Sequence, residues 1–269
     1  MSNKIMAATA GIAAIVLGAA STAHAGKELD AIKARGQLIC GVGIGTAGFN
    51  LADSQGKWTG LNVDICRAVA AAIFGDADKV KYVPLTSQQR FTALQSGEVD
   101  LLSNNTTVTL TRDTALGIDF TGVTYYDGQG FMVPKKLGVK SAKELNGATV
   151  CVAPGTTTEL NLADYFRANK MTFKPVVIEN VDEIRGAFFS GRCDVYTTDA
   201  SGLYATRAAN VPAPLTIEDF IILPEIISKE PLGPVVRHGD SQFADIVRWA
   251  QFAMIEAEEY GITSKNVDE

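Results

Sequence analysis

The stretch SGEVDLLSNN, residues 96–105, decides the fold because the chain repeats it. It recurs as SGRCDVYTTD at residues 190–199, with the serine, the glycine and one aspartate at matching positions. A second pair supports this repeat, since GQLICGVGIGT at 36–46 corresponds to GATVCVAPGTT at 147–157. Two copies of one pattern predict two similar lobes.

Each predicted lobe alternates strands with helices. In the first copy, QLICGVGI, KVKYVPL and VDLLS predict strands, and two amphipathic runs between them predict helices that end at Gly75 and Gly97. The insertion SQGKWTG predicts a turn. This alternation is typical of a largely parallel sheet flanked by helices, so the predicted fold class is α/β.

Two extended segments join the predicted lobes, namely YYDGQGFMVPKK at 125–136 and KEPLGPVVRHGD at 229–240. If the amphipathic helix that follows packs on the first lobe, both segments cross between lobes and form a hinge over a ligand cleft. The predicted division is a signal peptide at 1–25, lobe 1 at 26–132, lobe 2 at 133–236, and a return to lobe 1 at 237–269.

The N-terminus predicts export. Lys4 precedes an uncharged apolar run at 5–20, and Ala23, His24 and Ala25 form the small-x-small pattern of a cleavage site. A retained membrane anchor is disfavoured because the apolar run is short for a bilayer span. We expect a free exported protein that starts near Gly26.

Charge and histidine content exclude several functions. The net charge of −6 becomes −7 without the signal peptide, which argues against nucleic acid and anionic membranes as partners. His238 is the only histidine of the predicted mature chain. We therefore predict no metal site, no cofactor and no histidine-based catalytic triad.

The four cysteines predict two disulfides, because exported proteins mature in an oxidising compartment. Three pairings are possible. Two lobes favour Cys40–Cys66 in the first and Cys151–Cys193 in the second, since a disulfide between lobes would lock the hinge.

The run GIGTAG at 43–48 matches a dinucleotide-binding pattern by spacing alone. That pattern requires a helix to begin at its glycines, whereas turn residues follow here. We therefore reject a dinucleotide cofactor and expect a loop that approaches a ligand or the other lobe.

The run PGTTTELN at 154–161 predicts a helix start after a strand. Thr156 as N-cap and Glu159 three residues later form a capping box. A helix start at this place also exposes backbone N–H groups that can bind a carboxylate. The sequence leaves both interpretations open.

Asp199 and Asn105 occupy equivalent positions in the repeat, so both are expected at the edge of the cleft. A carboxylate at Asp199 can hold an ammonium, although an N-cap role is its simplest interpretation. Arg112 follows the other strand end and can hold a carboxylate, and the two charges together match an α-amino acid zwitterion. Arg90 is predicted either as a solvated residue at a helix start or as a ligand contact.

Several segments together resemble the family 3 extracellular solute-binding proteins, in particular the general L-amino-acid-binding proteins of polar amino-acid ABC transporters. They are GLNVDICRAVAAAI (60–73), RFTALQSGEVDLLS (90–103), NTT (105–107), TRDT (111–114), YYDGQGFMV (125–133), GTTTELNLADYFRAN (155–169), GRCDVYTTD (191–199) and LPEIISKEPLGPVVR (223–237).

The resemblance implies a two-lobe type II periplasmic binding fold, with a two-crossing hinge, that closes on a polar L-α-amino acid of a broad or Glu/Gln/Asp/Asn type. It also implies delivery of the ligand, by a monomer, to a membrane permease with its ATPase. The α-carboxylate would be bound by Arg112 and by N–H groups near Thr107 and Thr157. The α-ammonium would be bound by Asp199, together with acceptors around Asn105. The side-chain subsite would comprise Thr46, Arg90, Asn104, Thr156 and Thr157.

Three departures accompany the resemblance. Asn62 stands where an acid is usual, and Asn104 stands where the nearest relatives carry an arginine, which leaves a preference for acidic ligands open. Relatives continue past NVDE at 266–269, so we expect a truncated C-terminal part.

Two other functions are possible on the same fold. One is a periplasmic dehydratase of the cyclohexadienyl or arogenate type, for which the sequence offers no acid/base pair beyond Asp199. The other is an amino-acid sensor, which sequence alone does not separate from a transport protein.

Overall fold

A computed structural model describes residues 26–267. The α-helices are α1 (Lys27–Arg35), α2 (Leu61–Phe74), α3 (Arg90–Gln95), α4 (Leu110–Ala115), α5 (Thr157–Ala168), α6 (Val181–Phe189), α7 (Ala200–Ala209) and α8 (Ser241–Glu259). The strands are β1 (Leu38–Val42), β2 (Leu51–Ala52), β3 (Trp58–Thr59), β4 (Val80–Pro84), β5 (Leu101–Ser103), β6 (Ile118–Phe120), β7 (Tyr125–Asp127), β8 (Gln129–Pro134), β9 (Thr149–Val152), β10 (Lys174–Val177), β11 (Val195–Asp199), β12 (Phe220–Ile222), β13 (Glu230–Leu232) and β14 (Val235–Arg237).

The first five-stranded sheet has the order β4-β1-β5-β14-β6. β1 pairs in parallel with β4 and β5, and β14 runs antiparallel to β5 and β6. The predicted turn at SQGKWTG joins β2 to β3 as an antiparallel hairpin outside this sheet.

The second sheet repeats the first, with the order β10-β9-β11-β8-β12. β9 pairs in parallel with β10 and β11, and β8 runs antiparallel to β11 and β12. β1 and β9 thus hold equivalent places in their sheets, as do β5 and β11. The two sequence repeats fall on these four strands, and the predicted two-lobe α/β architecture is confirmed.

The crossings between the lobes are β7 and β13, which pair antiparallel in a sheet of their own. The predicted boundary between residues 132 and 133 falls inside β8, whose residues pair in the second sheet, so it belongs before Gln129. The predicted boundary between 236 and 237 falls inside β14, which lies in the first sheet, so it belongs before Val235. Both errors arise because each extended segment continues directly into a sheet strand.

The final helix α8 packs against α1 and α2 on the first lobe. Phe243 and Val247 of α8 join Leu29, Ile32 and Val69 in one buried apolar cluster. The burial of this apolar surface anchors the returning end of the chain to the first lobe.

Both predicted disulfides are present. Cys40 of β1 bonds Cys66 of α2 with 6.2 Å between Cα atoms, and Cys151 of β9 bonds Cys193 with 5.7 Å between Cα atoms. Each disulfide ties a strand to another segment of its own lobe, α2 in the first and the loop before β11 in the second, so neither restrains the hinge.

The predicted signal peptide lies outside the described residues. None of the helices within residues 26–267 is both long and apolar enough to cross a bilayer.

Candidate functional site

A cavity of about 120 Å³ opens where the strands of both lobes end. Loops after β1 and β5 supply one wall, and loops after β9 and β11 supply the other. This arrangement follows from the repeat, because equivalent strand ends of the two lobes face each other. Eight of the nine predicted ligand-binding residues line the cavity: Thr46, Arg90, Asn104, Asn105, Thr107, Thr156, Thr157 and Asp199.

Asp199 ends β11 and stands at the N-cap position of α7, yet its side chain makes no capping hydrogen bond. The pKa of Asp199 is raised to about 8, first by burial and then by the negative charges of Asp127 and Glu230. Arg90 and Arg112 act in the opposite direction. A half-buried carboxylate of this kind is stabilised by any cation that enters the cavity.

The start of α5 forms another part of the cavity wall, in the same lobe as Asp199. The N-cap Thr156 accepts the N–H of Glu159 at 3.0 Å, as predicted, whereas the Glu159 carboxylate accepts the N–H of Gly155 instead of completing the capping box at Thr156. Thr157 is the first helical residue, so its N–H has no acceptor within the helix. That N–H, with the helix dipole behind it, can bind an anion.

Thr107 supplies a second free donor from the first lobe. Its neighbours are bound to the second crossing, since Val108 donates its N–H to Pro231 O at 2.8 Å and Gly233 donates its N–H to Thr106 O at 3.0 Å. Thr107 itself lies opposite Leu232 in this bridge. Among residues 26–267, its own N–H donates to no backbone or side-chain acceptor.

Arg112 is the predicted residue that does not line the cavity. It is 9% exposed and lies behind Thr107, donating from Nη1 to Thr107 O at 2.9 Å and from Nη2 to Gly155 O at 3.5 Å. Burial lowers the pKa of Arg112, against the nearby charges of Glu230 and Asp199. Its guanidinium therefore spans both lobes beside the free N–H groups.

Arg90 is buried, at 3% exposure, so the interpretation as a solvated residue is wrong. Its Nη1 donates to Asn104 O at 3.1 Å, while its buried Nε has no partner within the described chain. The pKa of Arg90 is lowered to about 9, mainly by burial and next by the charge of Arg112. The two guanidinium carbons lie 5.0 and 5.2 Å from the ring centre of Phe91.

The floor of the cavity is a network of asparagines, of which sequence reasoning missed Asn50. Asn62 donates from Nδ2 to Oδ1 of both Asn50 and Asn105, and Asn104 donates from Nδ2 to Leu85 O at 3.1 Å. The sequence signal for this network was Asn62, which departs from the acid that the family resemblance implies at this position. Gly43 completes the floor, because a Cβ there would lie 2.7 Å from Asn104 Oδ1.

Sequence reasoning also missed Glu230, in the second crossing. It is 1% exposed, and its Oε2 accepts hydrogen bonds from Thr107 Oγ1 at 2.6 Å and Thr157 Oγ1 at 2.7 Å. The available signal was one acid next to proline in the predicted hinge segment.

Two contacts join the lobes at the far end of the cavity. Thr86 donates to Glu179 Oε1 at 2.6 Å, and Arg185 donates from Nη2 to Gly45 O at 2.9 Å. The cavity therefore has lobe-to-lobe contacts at both ends, and the structure is a closed form. Within residues 26–267, no three His, Cys, Asp or Glu side chains gather to hold a metal ion.

The family model for bacterial extracellular solute-binding proteins, family 3, matches residues 38–266. The chain belongs to this family. The predicted resemblance is thereby confirmed, and so is the type II periplasmic binding fold.

Three similar proteins illustrate the relationship. The General L-amino acid-binding periplasmic protein AapJ of Rhizobium johnstonii is 57% identical over 100% of this chain and 77% of its own. The Glutamate/glutamine/aspartate/asparagine-binding protein BztA of Rhodobacter capsulatus is 59% identical over 96% of this chain and 74% of its own. A solved periplasmic binding protein from Brucella ovis with glutathione bound is 57% identical, with a TM-score of 0.84 over 89% of this chain and 74% of that one.

Proposed function

We propose that this chain is the periplasmic substrate-binding component of an amino-acid ABC transporter and that it binds one polar L-α-amino acid between its lobes. The observation that carries this proposal is the pairing, across one cavity, of an uncapped carboxylate at Asp199 with free N–H donors at Thr107 and Thr157. The similarity to amino-acid-binding relatives at 57–59% identity supports it independently.

The two ends of the cavity suit the two charges of an amino acid. Asp199 would bind the α-ammonium, which also removes the cost of its unpaired burial. The N–H groups of Thr107 and Thr157 would bind the α-carboxylate, with the positive charge of Arg112 behind them. A ligand that lacks either charge would leave a buried group unpaired and bind weakly.

The side-chain subsite is polar and lined by Thr46, Arg90, Asn104 and Thr156. The free Nε of Arg90 favours a ligand oxygen, as in a side-chain amide or carboxylate. With Asn104 in place of an arginine, the site has one positive charge fewer than the resemblance implies for its relatives, so we propose that amide side chains bind at least as well as acidic ones.

The size of the cavity favours a free amino acid. A cavity of about 120 Å³ suits one small ligand such as a single amino acid better than a tripeptide.

Glutathione is a second candidate ligand because of the Brucella ovis structure. Its γ-glutamyl end retains a free α-ammonium and α-carboxylate, which the same two charged ends of the cavity would bind. The rest of the tripeptide would then extend past Thr86 and Glu179 and displace their hydrogen bond.

Capture proceeds by closure. The ligand binds the open first lobe, and the second lobe then adds Asp199 and the start of α5. Charge-assisted hydrogen bonds contribute about 1.5–3 kcal/mol each. After the entropy lost on ordering ligand and lobes, several of them support a binding free energy of about 8–12 kcal/mol, which corresponds to micromolar to nanomolar affinity. We propose that the closed monomer then docks on a membrane permease with its ATPase and that residues 1–25 direct export.

The rival functions are less well supported. A dehydratase needs an acid/base pair in the cavity, whereas Asp127 and Glu230, the two carboxyl groups that act on Asp199, do not line the cavity. Product formation from arogenate or prephenate would favour the dehydratase, and a chemotaxis defect without a growth defect in a deletion strain would favour the sensor.

The deciding experiment is isothermal titration of ligand-stripped protein with the twenty amino acids and glutathione. We expect micromolar or tighter binding of glutamine, glutamate, asparagine or aspartate, and no binding of analogues that lack the α-ammonium or the α-carboxylate. Equal binding of the decarboxylated analogue would overturn the proposal.

A further inference from the structure

Glu230 lies at the hinge end of the cavity with its carboxylate fully hydrogen bonded. Besides Thr107 and Thr157 at Oε2, its Oε1 accepts from Asn161 Nδ2 at 2.8 Å and from Ser228 Oγ. Glu230 is not among the cavity-lining residues, so these four bonds are available without any ligand.

The hydroxyl protons of Thr107 and Thr157 both point at Glu230. A threonine hydroxyl has one proton, and each donates it to Glu230 Oε2. The two hydroxyl oxygens lie 3.3 Å apart but have no proton left to share with each other. Glu230 therefore fixes the rotamers of Thr107 and Thr157, the two residues whose free N–H groups form the carboxylate-binding end of the cavity.

These bonds divide between the lobes. Glu230 begins β13, and the next residues are bound by backbone hydrogen bonds to the loop at Thr106 and Val108 in the first lobe. Thr157 and Asn161, in contrast, lie one turn apart on α5 in the second lobe. Glu230, in the second crossing, thus links Thr107 of the first lobe to Thr157 and Asn161 of the second, and this full set of bonds requires α5 to be in its closed position.

We propose that Glu230 is a positioning residue that couples ligand capture to lobe closure, an inference that rests on the proposed function. It holds the carboxylate-binding ends of Thr107 and Thr157 together only when the lobes close. It acts on every ligand alike, because it contacts the parts of the site that bind the group common to all amino acids.

Asn161→Asp tests this coupling from outside the cavity. The substitution faces the Glu230 carboxylate with a second carboxylate, which opposes closure without changing a cavity-lining residue. We expect a longer mean distance between spin labels on the two lobes, and an affinity at least about tenfold lower for every amino acid with their rank order unchanged.

Lowering the pH provides a readout that a merely structural role would not give. When the carboxyl introduced at position 161 takes up a proton, it can donate as Asn161 does, so the ratio of variant to parent affinity should recover. Taking the ratio removes the pH dependence that both proteins share through Asp199.

Asn146→Asp is the matched control. Asn146 is exposed in the same lobe and uses Oδ1 to accept from Thr172 N at 2.8 Å, which a carboxylate preserves. It should keep the parent affinity and interlobe distance. If Asn161→Asp fails to fold, Asn161→Ala removes one cross-lobe bond without added charge and should lower all affinities about threefold to tenfold.

Parent affinity and parent interlobe distance in the folded Asn161 variant would overturn the coupling and leave amino-acid binding intact. If the parent protein binds no amino acid, the proposed function fails instead, and the interlobe distances of ligand-free parent and variant still decide whether Glu230 holds the lobes closed.

Discussion

Asn62, in the first turn of α2, donates a hydrogen bond from Nδ2 to Oδ1 of Asn105 on the cavity floor. The same nitrogen donates to Oδ1 of Asn50 at 2.7 Å. An ionised acid, which the resemblance to the family implies at this position, can only accept hydrogen bonds. The amide at 62 therefore sets the orientation of two neighbouring asparagines, whose Nδ2 groups are left for other partners.

Asn62→Asp should change which ligands bind best. Asn50 and Asn105 would rotate to donate to the new carboxylate and turn their oxygens toward the cavity, which disfavours an acidic ligand. We expect the affinity for glutamate to fall about tenfold relative to that for glutamine, measured by isothermal titration with both ligands. Asn169→Asp, on the surface of the second lobe, is the control. An unchanged glutamate-to-glutamine ratio would mean that the amide orientation does not reach the ligand.

Arg112→Ala should weaken binding of all amino acids by a similar factor. The guanidinium carries the charge behind the carboxylate end and donates to Thr107 O and Gly155 O. Loss of a charge-assisted interaction of about 1.5–3 kcal/mol corresponds to about tenfold to a hundredfold in affinity. Arg112→Lys should be intermediate, since an ammonium keeps the charge but lacks the planar fork that reaches both carbonyls.

The control for Arg112 is Arg67→Ala, because Arg67 is half exposed and contacts only Asp78 at 3.5 Å among the charged groups of the described chain. It should bind like the parent. Near-parent affinity in Arg112→Ala would show that the N–H groups of Thr107 and Thr157 suffice for the carboxylate.

The repeat made the architecture predictable. Strand ends at Asn105 and Asp199 occupy equivalent places in two equivalent sheets, so their position at the cleft follows from the fold class and the matching residues. The disulfides followed for the same reason, since each cysteine pair lies within one copy. Hydrophobic periodicity and the glycines and prolines that end helices or form turns predict the order of strands and helices, because both depend on local backbone preferences.

What was missed depends on contacts between distant segments. Glu230 and Thr157 are 73 positions apart, and nothing local in KEPLGP indicates that its acid will be buried against α5. Arg112 was predicted in the cavity but lies behind Thr107, because the loop between β5 and α4 is held against the second crossing. The direction in which a side chain points at the hinge depends on how it packs against both lobes. No periodic pattern in the sequence predicts that direction.

Gly60→Ala should destabilise the protein more than other glycine substitutions at positive φ. Gly60 has φ +118°, and a Cβ there would lie 2.5 Å from the carbonyl oxygen of Phe49. We expect a loss of about 3 kcal/mol or more in the free energy of unfolding, measured by urea denaturation. Gly75→Ala is the matched control, because Gly75 has φ +68° with nothing within 4 Å of the added Cβ, and it should cost about 1 kcal/mol. Equal losses would show that the contact with Phe49 relaxes freely.

Ligand affinity should rise with pH up to about 8 through Asp199. In the free protein, the raised pKa of about 8 keeps Asp199 protonated below that pH. A bound ammonium favours the ionised carboxylate and lowers its pKa, so binding releases a proton in this range. Affinity should therefore increase as pH rises from 6 to 8, by up to about tenfold per unit, and then level off.

Titration in buffers of different ionisation enthalpy measures the proton released, which we expect to approach one at pH 6 to 7 and to vanish above pH 8. Asp199→Asn should bind amino acids weakly and without this pH dependence.

The stability of the ligand-free protein gives an independent check of the raised pKa of Asp199. Because the folded pKa exceeds the ordinary value of 3.8, native Asp199 binds more protons than the unfolded chain between about pH 4 and 8. The contribution of protonated Asp199 to stability is thus lost as pH rises through this window. The melting temperature of Asp199→Asn should therefore exceed that of the parent by an amount that grows toward pH 8. A constant difference in melting temperature between variant and parent across these pH values would contradict a raised pKa at Asp199.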